Sequence, residues 1–131
     1  MQSIREYSPL ALAFYGDSVY DMLVRRHLLT QANRQAAKLH QQKIQLVCAA
    51  AQAKAATQIL PLLTEEELSV YKRGRNAHNT VPRHTAAKDY HMATGLEALF
   101  GYLSLQGSQQ RLEALFEEII RHESGHNENK F

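Results

Sequence analysis

Pro9-Leu10-Ala11-Leu12-Ala13-Phe14-Tyr15-Gly16-Asp17-Ser18-Val19-Tyr20-Asp21-Met22-Leu23-Val24 decides the fold. Drawn as a helix, this stretch is apolar on nearly every side, and only Asp17 and Asp21 carry charge. Ser8 supplies an N-cap, Pro9 suits the first helical position, and the apolar pattern runs to about Leu29. A helix apolar all round sits among other helices, so a carboxylate on it must be paired, hydrogen-bonded or bound to a cation. The apolar excess equally fits a helix that faces a second copy of the chain.

Met92 to Leu105 repeats the situation. Leu96, Leu99, Phe100, Tyr102, Leu103 and Leu105 surround Glu97, the only charge in that run. Both stretches also carry mid-helix glycine, Gly16 beside Asp17, and Gly95 and Gly101 around Glu97. Each costs about 1 kcal/mol relative to alanine in a helix, and close helix approach explains that cost.

The remaining punctuation is helical too. Ala36 to about Leu60 is rich in strong helix formers and ends before Pro61. Thr64-Glu65-Glu66-Glu67 predicts a capping box opening a short helix that stops near Gly74. Asn76 to Lys88 contains Asn79-Thr80-Val81-Pro82, lacks apolar periodicity and reads as a loop, with room for a helical turn at its end. Gln106-Gly107-Ser108 turns the chain into an amphipathic helix from Gln109 to about His122. Glu123 to Phe131 is polar and is expected to fray. The expected class is all-α.

With 131 residues, 44% of them apolar and 21% charged, the chain is the size of one globular domain with its own core. No apolar run exceeds the length of Leu46 to Ala51, which is too short to span a bilayer, and Met1 to Glu6 carries no signal pattern. A cytoplasmic address and no membrane partner are the expectation. Cys48 stands alone, which excludes an intrachain disulfide and a thiolate metal cage, and it is expected as a small core residue. The net charge of +2 hides a segregation. Arg25, Arg26, Arg34, Lys38, Lys43 and Lys54 lie in an acid-free stretch from Met22 to Thr64, and Lys72, Arg73, Arg75, Arg83 and Lys88 form a second with His78 and His84. A basic face of this kind suits phosphate, although a merely solvated surface has the same composition.

If the two glycine-bearing helices cross, Asp17 and Glu97 converge on one site, and hard oxygen ligands suit Mg²⁺ or Mn²⁺. A cation held by few protein ligands keeps waters and clamps a phosphate oxygen. The alternatives are that either acid pairs with an arginine or caps a neighbouring helix. Asp21, one turn from Asp17, either lines the same cavity or receives a tyrosine hydroxyl. His40 touches nucleic acid or a neighbouring helix. His122-Glu123-Ser124-Gly125-His126 matches a zinc-peptidase pattern, but Gly125 interrupts it and a third ligand would fall beyond Phe131.

Ala11-Leu12-Ala13-Phe14-Tyr15-Gly16-Asp17-Ser18-Val19-Tyr20-Asp21 and Ala93-Thr94-Gly95-Leu96-Glu97-Ala98-Leu99-Phe100-Gly101-Tyr102 resemble the two metal-binding helices of the ribonuclease III catalytic domain. Leu39-His40, Val47, Ala49, Gln52-Ala53 and Lys72-Arg73-Gly74-Arg75-Asn76-Ala77 are similar to the short bacterial form, Mini-ribonuclease III, which lacks a separate double-stranded-RNA-binding domain. The likeness runs from about Pro9 to about Arg121. It implies a homodimeric, all-helical ribonuclease III endonuclease fold over residues 1–122, with a flexible tail at 123–131. It further implies Asp17 and Glu97 as catalytic, metal-binding acids, with Mg²⁺ as cofactor and Mn²⁺ as substitute. Ala13 and Thr94 stand where the wider family carries two further acids, as they do in the short form.

The implied activity is endonucleolytic cutting of double-stranded RNA, leaving 5′-phosphate and 3′-hydroxyl ends with a short 3′ overhang. The implied substrate is the 23S ribosomal RNA precursor in its ribosomal context. Duplex RNA is gripped through phosphates, 2′-hydroxyls and shape, and the expected RNA-binding residues are Lys72, Arg73, Arg75, Asn76, His78, Arg83 and Lys88. Two rival classes remain at this stage: a noncatalytic RNA-binding relative, suggested by Ala13 and Thr94, and a zinc peptidase.

Overall fold

A computed structural model describes residues 3–128, with the side chains of Arg5 and of 124–128 outside the described set. After a 3-10 turn at Ile4–Glu6 come α1 (Pro9–Gln31), α2 (Ala36–Val47), α3 (Ala49–Ile59), a second 3-10 turn at Leu60–Leu62, α4 (Glu65–Arg75), α5 (Ala87–Gln106) and α6 (Gln109–Glu128). No strand occurs among the described residues, as the sequence predicts.

The helix ends follow from local chemistry. Ser8 accepts a hydrogen bond from the Ala11 amide with Pro9 in the first turn. Thr64 and Glu67 close the capping box in both directions, at 3.1 and 2.9 Å. Gly107, at φ +80°, ends α5, and the Ser108 amide returns to the Leu103 carbonyl at 3.0 Å.

Helix α5 is the axis of the bundle, packed by α1, α3, α4 and α6. Its buried run from Ala93 to Leu103 is interrupted only at Glu97. Tyr20 of α1 meets Phe100 and Phe116 edge-on, with ring centroids 5.2 and 5.8 Å apart. A Cβ on Gly16 would lie 1.6 Å from the Glu97 carbonyl oxygen, and one on Gly101 would lie 2.2 Å from that of Leu12. The two helices therefore touch backbone to backbone, which is why glycine is tolerated there despite its helix cost.

Five expectations need correction. Helix α1 is not enclosed: Phe14 is 83% exposed, Met22 59% and Leu29 54%. Of the two readings of its apolar surplus, burial within one chain thus fails for this face. The stretch expected as one helix from Ala36 breaks at Cys48, whose extended backbone ends α2 and opens α3. Cys48 is exposed there, not packed in the core. Helix α5 begins at Ala87, five residues before the expected start at Met92, so the helical turn expected at the end of the loop, with Lys88 in it, is the first turn of α5 itself. At the other end, α6 continues past His122 to Glu128, and 129–131 fall outside the described residues.

Candidate active site

The glycine crossing sets the site. With α1 and α5 in backbone contact at Gly16 and Gly101, the residues beside the crossing, Asp17 and Glu97, are brought together, close enough for each carboxyl to feel the other. Asp17 is exposed and Glu97 half-buried, so neither is enclosed as expected. Asp17 lies where the exposed face of α1 meets the crossing, which leaves the pair open to an incoming phosphate.

Burial and the neighbouring Asp17 push the Glu97 carboxyl up to about 8, while the polar amide of Gln52 works in the opposite direction. Two carboxyls in contact resist joint ionisation unless a cation neutralises them. No group of three or more metal-ligating side chains exists among the described residues. The donor set is thus two hard carboxylate oxygens at a solvent edge, which fits a cation that keeps most of its waters, as Mg²⁺ does. Ala13 and Thr94, one turn before each acid, are both buried. The Thr94 hydroxyl donates to the Tyr90 carbonyl at 2.9 Å, so it is spent on its own helix.

Asp21 does neither of the things expected of it. Arg25 Nε at 2.6 Å and Lys43 Nζ at 2.9 Å hold it in an ion-pair cluster that ties α1 to α2. Those hydrogen bonds keep its carboxyl below the usual range, against the cost of burial. His122 pairs with Glu118 at 3.2 Å, and the His126 side chain lies outside the described residues.

The basic residues gather at the α4–α5 junction. Gly74 sits against Thr94, Gly95 and Ala98, so the last turn of α4, with Lys72, Arg73 and Arg75, crosses α5 within a turn of Glu97. Lys72, Arg73, Asn76, His78, Arg83 and Lys88 are exposed, whereas Arg75 stacks over the Tyr71 ring at 5.7 Å. Asn79 fastens the loop to α5 through the Tyr90 hydroxyl at 2.8 Å, and His84 holds a left-handed backbone at φ 64°.

Two features escaped the sequence. Arg111 of α6 clamps Glu67 with two bonds of 2.8 Å and reaches the Leu62 carbonyl at 2.8 Å. The partners lie 44 residues apart, and nothing local in the sequence marks them. Gln52 is buried beside Glu97 and stood out only as a motif match.

Residues 10–108 match the model of the ribonuclease III domain family. A protein named "Mini-ribonuclease 3" from Thermoanaerobacter sp. is 41% identical over 92% of this chain and 85% of its own length. One of the same name from Synechococcus sp. is 44% identical over 88% and 82%. A crystal structure of a Fusobacterium nucleatum protein, 30% identical, covers 94% of this chain and 99% of its own with a TM-score of 0.85. The helical architecture, the family match and these relatives agree: the chain belongs to the ribonuclease III domain family and is an endoribonuclease.

Proposed function

We propose that this endoribonuclease cuts double-stranded RNA with a divalent cation, Mg²⁺ or in its place Mn²⁺, held by Asp17 and Glu97. The observation that carries this is the contact of those two carboxyls at the crossing of α1 and α5. When bound, such a cation supplies Lewis acidity to a phosphate oxygen and acidifies water for attack. The acids of the chain orient it, and in ionising both they discharge the proton that Glu97 otherwise retains at neutral pH. Water attacks phosphorus, the bond to the 3′ oxygen breaks, and 5′-phosphate and 3′-hydroxyl ends result. With Ala13 and Thr94 buried and without carboxylates, the site has ligands for one cation per chain.

Lys72, Arg73, Arg75, Asn76, His78, Arg83 and Lys88 bind the RNA backbone, which asks for charge and hydrogen-bond donors without a base-stacking platform. Two copies of the chain pair through the exposed face of α1. There Tyr15, Met22 and Leu29 recur at seven-residue spacing with Phe14 at the edge, an apolar stripe too exposed to leave in water. A dimer places two sites on one duplex, one per strand. The precursor of 23S ribosomal RNA, presented in the ribosomal context in the cytoplasm, is the substrate we assign; no described helix is long and apolar enough to cross a membrane.

The test is product analysis. Labelled duplex and single-stranded RNA of the same sequence are incubated with Mg²⁺ or with EDTA, and product ends are mapped. Duplex-only, Mg²⁺-dependent cutting with a short 3′ overhang is expected. Equal cutting of the single strand, or cutting in EDTA, contradicts the proposal.

A further inference from the structure

Gln52 is only 2% exposed, on a helix where alanine fills the neighbouring buried positions. Its Nε2 donates to the Val47 carbonyl at 3.2 Å. That carbonyl belongs to the last residue of α2 and is orphaned by the break at Cys48. The other end of the amide is unusual: Oε1 is buried and has no partner. Buried polar atoms are nearly always satisfied, and an unmet acceptor costs about 1–3 kcal/mol. Capping the Val47 carbonyl accounts for the nitrogen end of the amide, which leucine or methionine could not replace, but it does not account for the unmet oxygen.

What lies beside it does. Helix α3 packs on α5, and the Gln52 side chain lies close enough to Glu97 to act on its carboxyl, while Asp17 approaches Glu97 from α1. A buried amide beside Glu97 restricts the rotamers its carboxylate can take, and a cation needs that carboxylate held in one of them. The unpartnered oxygen suits a donor that arrives with the ligand, and the waters of a hydrated cation are donors only. Groups standing behind metal ligands in this way commonly alter affinity by 10–100-fold. We infer that Gln52 is a positioning residue of the active site, holding the Glu97 carboxylate for the divalent cation and supplying an acceptor to its hydration shell. This rests on the proposal that Asp17 and Glu97 bind the cation.

The test compares the parent chain with Gln52→Met and Gln52→Leu, which keep the volume and remove the amide. Mn²⁺ binding is followed by loss of the free-ion paramagnetic signal in the absence of RNA, and the Mg²⁺ dependence of duplex cleavage is measured alongside. The expected result is Mn²⁺ affinity about tenfold weaker in both variants. The Mg²⁺ concentration for half-maximal cutting should rise by a similar factor while the maximal rate falls far less. A packing role would lower the unfolding midpoint and the maximal rate instead, without moving metal affinity. Unchanged Mn²⁺ affinity in a folded variant overturns the inference and leaves the two-carboxylate site intact. A parent that binds no Mn²⁺, with cutting indifferent to it, overturns both. If neither variant folds, the Gln52 side-chain amide signals of the parent decide: movement on Mg²⁺ titration supports the role, and indifference refutes it.

Discussion

Replacing Glu97 by glutamine should stabilise the metal-free protein at alkaline pH while destroying its catalytic function. In the folded chain this carboxyl is raised from 4.5 to about 8, first by burial and then by Asp17. An unfolded chain releases the same proton near the ordinary value. Between those two values the folded state binds more protons than the unfolded, so stability falls as pH rises through the window and levels off above it. At about 1.4 kcal/mol per tenfold change in proton affinity the penalty is bounded near 5 kcal/mol. Solvent reaching the pair through exposed Asp17 reduces this to about 2–3 kcal/mol. Glutamine keeps the shape and never ionises. In EDTA the variant should match the parent at pH 5 and exceed it at pH 8.5, by roughly 8 °C in unfolding midpoint for a domain of this size. Thermal unfolding across that pH range is the assay. A variant less stable than the parent at pH 8.5, or a difference that does not change with pH, refutes the reasoning.

Other consequences follow from the same geometry. Gly16→Ala places a methyl on the Glu97 backbone and should cost at least about 3 kcal/mol in chemical denaturation, whereas Gly107→Ala, with open space around it, should cost about 1 kcal/mol from its left-handed backbone. Arg111→Met strands the buried Glu67 and should cost about 3 kcal/mol. Because Arg111 and the Thr64 cap hold the Glu67 carboxyl below its usual value, the stability they confer is present above that value and lost as pH falls, so acid unfolding of the variant should begin at higher pH. Neutralising Arg73, Arg75 and Arg83 together should weaken duplex binding and flatten its dependence on log salt by about two to three, read by filter binding at several salt concentrations. Phe14→Glu combined with Met22→Glu should turn a dimer into a folded monomer in sedimentation; an unchanged sedimentation coefficient would count against the α1 interface.

Periodicity and punctuation were enough to find most of the helices. Ser8-Pro9, the capping box at Thr64 and the turn at Gly107 are local devices, and local devices are legible in a sequence. The glycines beside Asp17 and Glu97 were equally informative, because a mid-helix glycine needs a reason and the backbone contact at Gly16 supplies it. What escaped notice has a common cause. The break at Cys48 uses no glycine or proline, since an extended backbone there is open to any residue. Ala87 to His91 carries no apolar stripe, so helix formation on α5 begins before periodicity can announce it. Lys43, which pairs with Asp21, and Arg111, which pairs with Glu67, come from other helices, and only the assembled bundle shows them. Most instructive is α1, whose apolar residues suggest one buried helix but divide between a core face and an exposed face, with Asp17 at the boundary.

The central claim is that the Asp17–Glu97 pair performs the cutting while other residues hold the duplex. Single-turnover cleavage of an end-labelled RNA duplex by Asp17→Asn in Mg²⁺, with duplex affinity measured on the same preparation, tests it most directly. The expected result is parent-like binding with cleavage reduced by at least about a thousandfold, the scale of removing an essential charged group from a transition state. Cleavage near the parent rate, or a loss of cutting that merely follows a loss of binding, contradicts it.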